Sequence, residues 1–338
     1  QRKMSNPPCS TDFYRALTEL FSFSFLPPPL DKIMFWIFSL AASACFILLT
    51  MRYFFKGARW TSKRSARGKT IIVTGANSGI GRALTEEFLM RGADHIVLAC
   101  RSQERAGKAR QEMIESGADE SCISIELVDL MSFKSVIAFV DRVMTKYRTI
   151  DVLVCNAGVL QADGLSENGV EKLLQANYLG HFVMVESLRA RLDLKRVVFV
   201  SSLVHKYAKQ EDLTKRLDNN MLQYSRAKLA EVSYARHLAN EGMQAYSCNP
   251  GVVHTNILAG TWMEIFDRYL EPVLSFIMKN PLEGAQTPLM LSLAAAEHLQ
   301  PGYYYSDCAI DATHPLLKDN EKIEELHRQS IELAKEFL

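Results

Sequence analysis

The chain has 338 residues, 48% of them hydrophobic, enough to bury a full core in one large domain with appendages. A formal net charge of +1 argues against a nucleic-acid binder, which usually carries a clustered basic surplus. The seven cysteines are scattered, the nearest pair being Cys100 and Cys122. Their odd total and lack of a C-x-x-C pair argue against a disulfide framework or a metal site and favour a reducing compartment.

Residues 1–32 form a leader that ends in "FLPPPL", where the prolines disfavour helix and central strand alike, and no role follows from it. Met4 and Met34 both stand as candidate starts. Residues 33–51 ("IMFWIFSLAASACFILLTM") carry no charge and match the roughly 20 apolar residues of a membrane span. The stretch is apolar on every face, which disfavours an amphipathic core helix. Its "AASA" resembles a cleavage site, but the apolar run continues through Leu49, past the usual length for a signal peptide. A retained anchor over 33–55 is therefore favoured over a cleaved signal. Seven cations follow between positions 52 and 69, so residues 56–67 read as a basic linker. They place the remainder of the chain on the cytosolic face of a membrane, the endoplasmic reticulum being favoured over a mitochondrial or lipid-droplet surface.

From Gly68 onward, short apolar runs alternate with amphipathic helical stretches. The runs 70–75, 95–100, 122–127, 151–155, 196–200 and 243–248 read as buried strands. This alternation predicts an α/β domain over 68–338, a Rossmann-type doubly wound parallel sheet. The end, "DNEKIEELHRQSIELAKEFL", reads as a charged amphipathic helix.

Directly after the first strand comes "TGANSGIG", residues 74–81. Gly75 permits a tight turn, Gly79 lets backbone approach a pyrophosphate, and Gly81 lets the next helix pack close. An unliganded loop turn would show the same three glycines; the strand-to-helix setting favours dinucleotide binding. At the end of the second strand stands Arg101, with Arg82 just past the glycine loop. A guanidinium there suits a 2′-phosphate, and so favours NADP(H), although a surface arginine with no ligand reads the same way. Further on, Tyr224 and Lys228 lie one helical turn apart. A fixed ammonium favours a phenolate, so the pair suits acid/base work, but in a chain with 12 tyrosines the spacing alone also arises by accident.

Several ordered motifs then accumulate: "TGANSGIG", "VDL" at 128–130, "CNAG" at 155–158, "NYLGHF" at 177–182, "VSS" at 200–202, "YSRAK" at 224–228 and "PGVVHT" at 250–255. Over 68–338 the chain resembles the short-chain dehydrogenase/reductase superfamily. With "ACR", "NYLGHF" and "YYYSDC" it looks most like the membrane-anchored retinol dehydrogenase and WW-domain oxidoreductase branch. The resemblance implies Tyr224 as acid/base, Lys228 as its tuning cation and ribose contact, Ser202 as substrate-oxygen donor, and Asn177 as holder of a relay water. It further implies cofactor contacts from Thr74, Gly75, Ser78, Gly79, Ile80 and Gly81 of the glycine loop. Asp129 would meet the adenine, Asn156 and Gly158 the adenosine ribose, and Pro250, Gly251 and Thr255 the nicotinamide side.

Cys155 replaces the usual asparagine of "NNAG" and, buried, should act as a small apolar residue. The charged stretch between Ser202 and Tyr224 resembles a surface insertion, and His205 reads as a solvated loop histidine. After Thr255 a run rich in large apolar residues occupies the place of the substrate cover. The implied reaction interconverts a lipophilic alcohol and its carbonyl at a bilayer, and a homodimer is a family-level expectation. The alternative is an idle dinucleotide-binding scaffold or redox sensor. No His/Cys cluster suggests a metal.

Overall fold

The computed structural model describes residues 29–209, 212–254 and 263–338. The chain splits into two compact units that divide at Phe54 and Phe55.

The first unit contributes helix α1, Leu30–Phe55. At 1.5 Å per residue its 26 residues reach about 39 Å, more than the roughly 30 Å of a hydrocarbon core. Trp36, Leu40, Phe46 and Phe54 are each at least 70% exposed, an arrangement hostile to water on every side. Two of its hydroxyls are satisfied within the helix: Ser43 donates to the Ser39 carbonyl and Thr50 to the Phe46 carbonyl, both 2.8 Å. The helix is long and apolar enough to cross a membrane.

The second unit is built on an eight-stranded sheet. Its strands are β1 (Thr70–Thr74), β2 (His95–Cys100), β3 (Ile123–Leu127), β5 (Val152–Cys155), β7 (Arg196–Val200), β8 (Gln244–Asn249), β9 (Tyr304–Ser306) and β10 (Ala309–Ile310). The spatial order is β10-β9-β8-β7-β5-β1-β2-β3, parallel throughout except for the β9–β10 hairpin. Two dipeptide strands, β4 (Thr149–Ile150) and β6 (Asp193–Leu194), pair beside it. The six strand runs read from the sequence all lie in this sheet, within a residue at either end. The short strands β4, β6, β9 and β10 carry too few residues to show a period.

Helices cover both faces, as the alternation requires. Ile71 and Val73 point to one face, where they pack with α2 (Gly79–Met90), α3 (Gln103–Glu115) and α8 (Pro281–Leu293). Ile72 points to the other, packed with α4 (Phe133–Lys146), α5 (Gly180–Arg189), α6 (Asn220–Asn240) and α9 (Asn320–Ala334). A further helix, α7, runs Met263–Ile277. A π-helical turn, Gln175–Leu179, leads into α5. Strand order reverses between β1 and β5, which opens a crevice at their carboxyl ends.

The basic stretch before β1 is laid on this unit. The Trp60 amide donates to Gln286 Oε1 at 3.1 Å, and the Arg91 guanidinium sits 5.0 Å over the Trp60 ring while donating to the Ser62 carbonyl at 2.7 Å.

The β9–β10 turn places two non-glycine residues in the left-handed region, Asp307 (φ 48°) and Cys308 (φ 60°). Two-residue hairpins favour such angles, usually with glycine second. The αL conformation costs a Cβ-bearing residue about 1–2 kcal/mol, and Asp tolerates it better than Cys. Cys308→Gly is therefore expected to raise stability by about 0.5–1 kcal/mol, read as a higher thermal midpoint. A lower midpoint would mean that the Cys308 contact with Thr287 outweighs the backbone relief.

Candidate active site

Each wall of the crevice is built from residues that follow a strand. After β1 the chain turns at Gly75 (φ 67°), whose amide donates to the Ala99 carbonyl at 2.8 Å, and at Gly79 (φ 53°). Ser78 is the N-cap of α2, yet its side chain makes no capping bond and no acidic residue lies in the first turn. The amides of Gly79, Ile80 and Gly81 thus face the crevice with the positive end of the helix dipole, as a pyrophosphate requires. Gly81 permits the close packing: a Cβ there would lie 2.5 Å from both Asn156 Nδ2 and the Gly75 carbonyl oxygen.

Thr74 fastens the two loops together. Its hydroxyl accepts the amides of Asn156 and Ala157, each at 2.9 Å, and its carbonyl accepts Asn156 Nδ2 at 2.9 Å. A cavity of about 570 Å³ extends from this loop and is lined by Ser78, Gly79, Ile80, Arg101, Asn156 and Gly158 among others. A second, of about 130 Å³, lies between Cys100, Arg101, Val128 and Asp129. Asp129 is braced there, its amide donating to Ser135 and its carboxylate accepting the Met131 amide at 3.0 Å.

The two arginines named from the sequence fare differently. Arg82 borders the larger cavity but is tied to Glu86 at 2.8 Å and to Glu112, which offset its charge. Arg101 is exposed and lines both cavities, and so does Arg105, in the first turn of α3, which the sequence reading missed. Its place in "RSQER", four residues after Arg101, was the available signal.

The second half of the site lies at the ends of β5 and β7. Ser202 follows β7 and caps the next turn. Tyr224 and Lys228 lie on one face of α6, 7% and 3% exposed, with Lys228 Nζ 5.7 Å from the Tyr224 ring centroid. Ser202 stands near enough to the Tyr224 phenol to lower its pKa. Lys228 Nζ donates to the Val200 carbonyl at 3.0 Å and to Glu231 Oε2 at 2.9 Å. Asn177 sits in the π turn; its Nδ2 donates to the carbonyls of Leu173 (2.8 Å) and Val159 (2.9 Å), and its Oδ1 accepts the Val159 amide (2.9 Å). Gly158 lies where Asn177 and Lys228 approach each other: a Cβ there would be 2.7 Å from Asn177 Oδ1 and 3.8 Å from Lys228 Nζ. The structure therefore brings Ser202, Tyr224, Lys228 and Asn177 to one place.

Electrostatics depart from the simple tyrosine–lysine expectation. Burial raises the Tyr224 pKa above its usual value; Lys228 and Ser202 pull it down, but Glu231 opposes them, and the net direction is up. Burial disfavours the Lys228 ammonium, but Glu231 and Tyr224 outweigh it and the lysine stays charged.

Two other expectations resolve differently. His205 is fully buried rather than solvated, because the turn Leu203–Tyr207 packs it 4.3 Å from the Tyr304 ring. The charged insertion is pinned from beneath by buried Arg226, which pairs with Glu171 and donates to the Asp212 carbonyl at 2.9 Å. Cys155 is fully buried and burial raises its thiol pKa, in keeping with an apolar role. Pro250 and Gly251 (φ 88°) follow β8, where the Gly251 amide donates to Asn249 Oδ1 at 3.0 Å. Thr255 lies outside the described residues.

Residues 69–264 match the family model for short chain dehydrogenases. The chain belongs to the short-chain dehydrogenase family. Among curated relatives, mouse retinol dehydrogenase 14 is 34% identical over 75% of this chain and 81% of its own. Human retinol dehydrogenase 12 is 33% identical over 84% and 92%. Bovine dehydrogenase/reductase SDR family member 13 is 33% identical over 80% and 74%. Among solved structures, an uncharacterized protein of Mycobacterium paratuberculosis superposes with a TM-score of 0.65 at 27% identity, covering 82% of this chain and 98% of its own. This short-chain dehydrogenase is accordingly an NAD(P)-dependent oxidoreductase of the retinol dehydrogenase-like branch, acting on CH–OH groups. Its uncapped α2 terminus and glycine cradle fit a nicotinamide dinucleotide.

Proposed function

We propose that this chain is a membrane-anchored, NADP(H)-preferring enzyme that interconverts a lipophilic alcohol and its aldehyde or ketone. The observation that carries the reading is the convergence of Ser202, Tyr224 and Lys228 beside the dinucleotide crevice. Thr74, Gly75, Ser78, Gly79, Ile80 and Gly81 would hold the pyrophosphate side, Asp129 the adenine, and Asn156 and Gly158 the adenosine ribose. Pro250, Gly251 and Thr255 would border the nicotinamide. When bound, the nicotinamide supplies or accepts the hydride.

The protein's own residues do the rest. In reduction the Ser202 hydroxyl and the Tyr224 phenol would both donate to the substrate oxygen, polarising it, and Tyr224 would then hand over its proton. Lys228 holds a fixed charge beside that phenol, and Asn177 fixes the Val159 loop. In oxidation the same phenol, ionised, takes the alcohol proton.

A lipophilic substrate is supported by helix α1, by the names of the relatives, and by exposed apolar side chains on α7, where Tyr269, Leu270, Val273 and Phe276 are 40% exposed or more. Preference for NADP(H) is supported by Arg101 and Arg105, which line both cavities and whose guanidinium groups suit a 2′-phosphate. The test is loss of reduced cofactor with detergent-solubilised full chain and a panel of lipophilic carbonyls, all-trans-retinal included. NADPH-dependent turnover is expected. Arg101→Ala should raise KM for NADPH about tenfold, the loss of one charge-assisted contact, with little change for NADH. Equal use of both cofactors by the parent would overturn the preference. Tight NADPH binding without turnover on any carbonyl would favour the idle scaffold.

A further inference from the structure

Glu231 was not singled out from the sequence, yet it stands three residues after Lys228 and seven after Tyr224, on the same face of α6. Its carboxylate is fully buried, Oε2 accepts from Lys228 Nζ at 2.9 Å, and Oε1 has no hydrogen-bond partner. Facing Oε1 at 4.0 Å is Nδ1 of His181, fully buried too.

The tautomer of His181 follows from its neighbours. The Thr74 hydroxyl already accepts two amides, which fills its lone pairs, so it must donate its own proton. His181 Nε2 lies 2.9 Å away and the Val154 carbonyl 3.3 Å, so Nε2 is the better acceptor. His181 then carries its proton on Nδ1, between the Asn177 carbonyl and Glu231 Oε1. Burial lowers its pKa to about 3, so the ring is neutral. The other titratable groups around Glu231 are Tyr178 from the π turn, Cys155 from β5 and Cys248 from β8, all held neutral by burial. Ser201, after β7, gives its proton to the Lys228 carbonyl. Burial also raises the Glu231 carboxyl, to about 7, against the pull of Lys228, so Lys228 and Glu231 form the charged pair of this pocket once the pH passes neutrality.

We propose that Glu231 is a positioning residue that governs how much of the Lys228 charge reaches the Tyr224 phenol, and so biases the site toward carbonyl reduction. The proposal rests on the assignment of Tyr224 and Lys228 given above. A lone buried ammonium favours phenolate strongly; an ammonium paired at 2.9 Å projects the weaker field of a dipole. Two of the three Nζ protons go to Val200 and Glu231, and one is left for the catalytic side. Above neutrality, with Glu231 ionised, the phenol then stays protonated to higher pH, ready to donate, and alcohol oxidation, which needs the phenolate, moves to alkaline pH.

The experiment titrates tyrosinate absorbance of the full-length, detergent-solubilised chain, using Tyr224→Phe to isolate the Tyr224 signal, beside pH profiles with NADPH and the carbonyl panel. Glu231→Gln keeps size and an acceptor but removes the charge. The Tyr224 midpoint should fall by about 1–2 pH units, the effect of one nearby charge, and the alkaline limb of carbonyl reduction should move with it. A role in packing alone would change stability or kcat without moving either midpoint. Should Glu231→Gln fail to fold, Glu231→Asn, smaller and equally neutral, carries the same expectation. An unmoved midpoint in a folded neutral variant overturns the proposal. If Tyr224→Phe itself retains full turnover, the Ser–Tyr–Lys assignment falls instead, and the spectroscopic midpoint still decides whether Glu231 governs the phenol.

Discussion

Tyr224→Phe should lower kcat/KM for carbonyl reduction by about 10³-fold, within the range of one positioned acid/base group, while NADPH still binds. The substitution deletes a single oxygen from a side chain that is 7% exposed, so packing around α6 is preserved. What disappears is the proton donor and one of two hydrogen bonds to the substrate oxygen; Ser202 keeps the other. Binding and chemistry should therefore separate: NADPH quenching or isothermal titration unchanged, single-turnover reduction nearly lost. A loss of less than about tenfold would place the proton elsewhere and remove Tyr224 from its role.

Gly81→Ala should be the most damaging single methyl group in the crevice. Its Cβ would meet Asn156 Nδ2 and the Gly75 carbonyl oxygen at 2.5 Å, and the Gly75 carbonyl carbon at 2.9 Å. None of these can withdraw freely. The Gly75 amide is held by Ala99, and Asn156 is held through both its amide and its Nδ2 by Thr74. Relief requires moving the loop, which strains the fold by about 1–3 kcal/mol. It also misplaces the α2 amides, and loss of one charge-assisted bond to phosphate weakens NADPH by about 10- to 100-fold. Gly107→Ala is the matched control, because a Cβ there meets nothing within 4 Å and α3 should gain about 0.5–1 kcal/mol. Equal NADPH affinity in the two variants would show that Gly81 does not shape the cradle.

Much of this was open to reading from the residues, for physical reasons. Buried parallel strands are apolar on both faces, so runs such as "TIIVT" and "RVVFV" announce themselves. The glycine loop carries its own geometry, and Tyr224 and Lys228 share a helical face by spacing. What escaped depended on contacts distant in sequence. His205 looks like a loop residue until β9 supplies Tyr304 to cover it. Arg82 looks like a phosphate ligand until Glu112 arrives from α3. Glu231 showed the right spacing, but only burial distinguishes a partner of Lys228 from an ordinary solvated carboxylate. Strands of two or three residues, such as β9 and β10, offer no periodicity at all.

The π turn Gln175–Leu179 has a consequence for how such a site is kept. A regular helix advances about 100° per residue, so every side chain's direction is locked to its neighbours'. One wide turn inserts an angular offset, the equivalent of an extra residue. Before it, Leu173 and Leu174 are buried in the core; within it, Asn177 can aim at the Val159 loop; beyond it, Phe182 and Leu188 are again buried in the core, and His181 meets Thr74. The segment works as a phase shifter. It lets a single stretch of chain serve the requirements of packing and of chemistry, which fall at angles no unbroken helix could satisfy together.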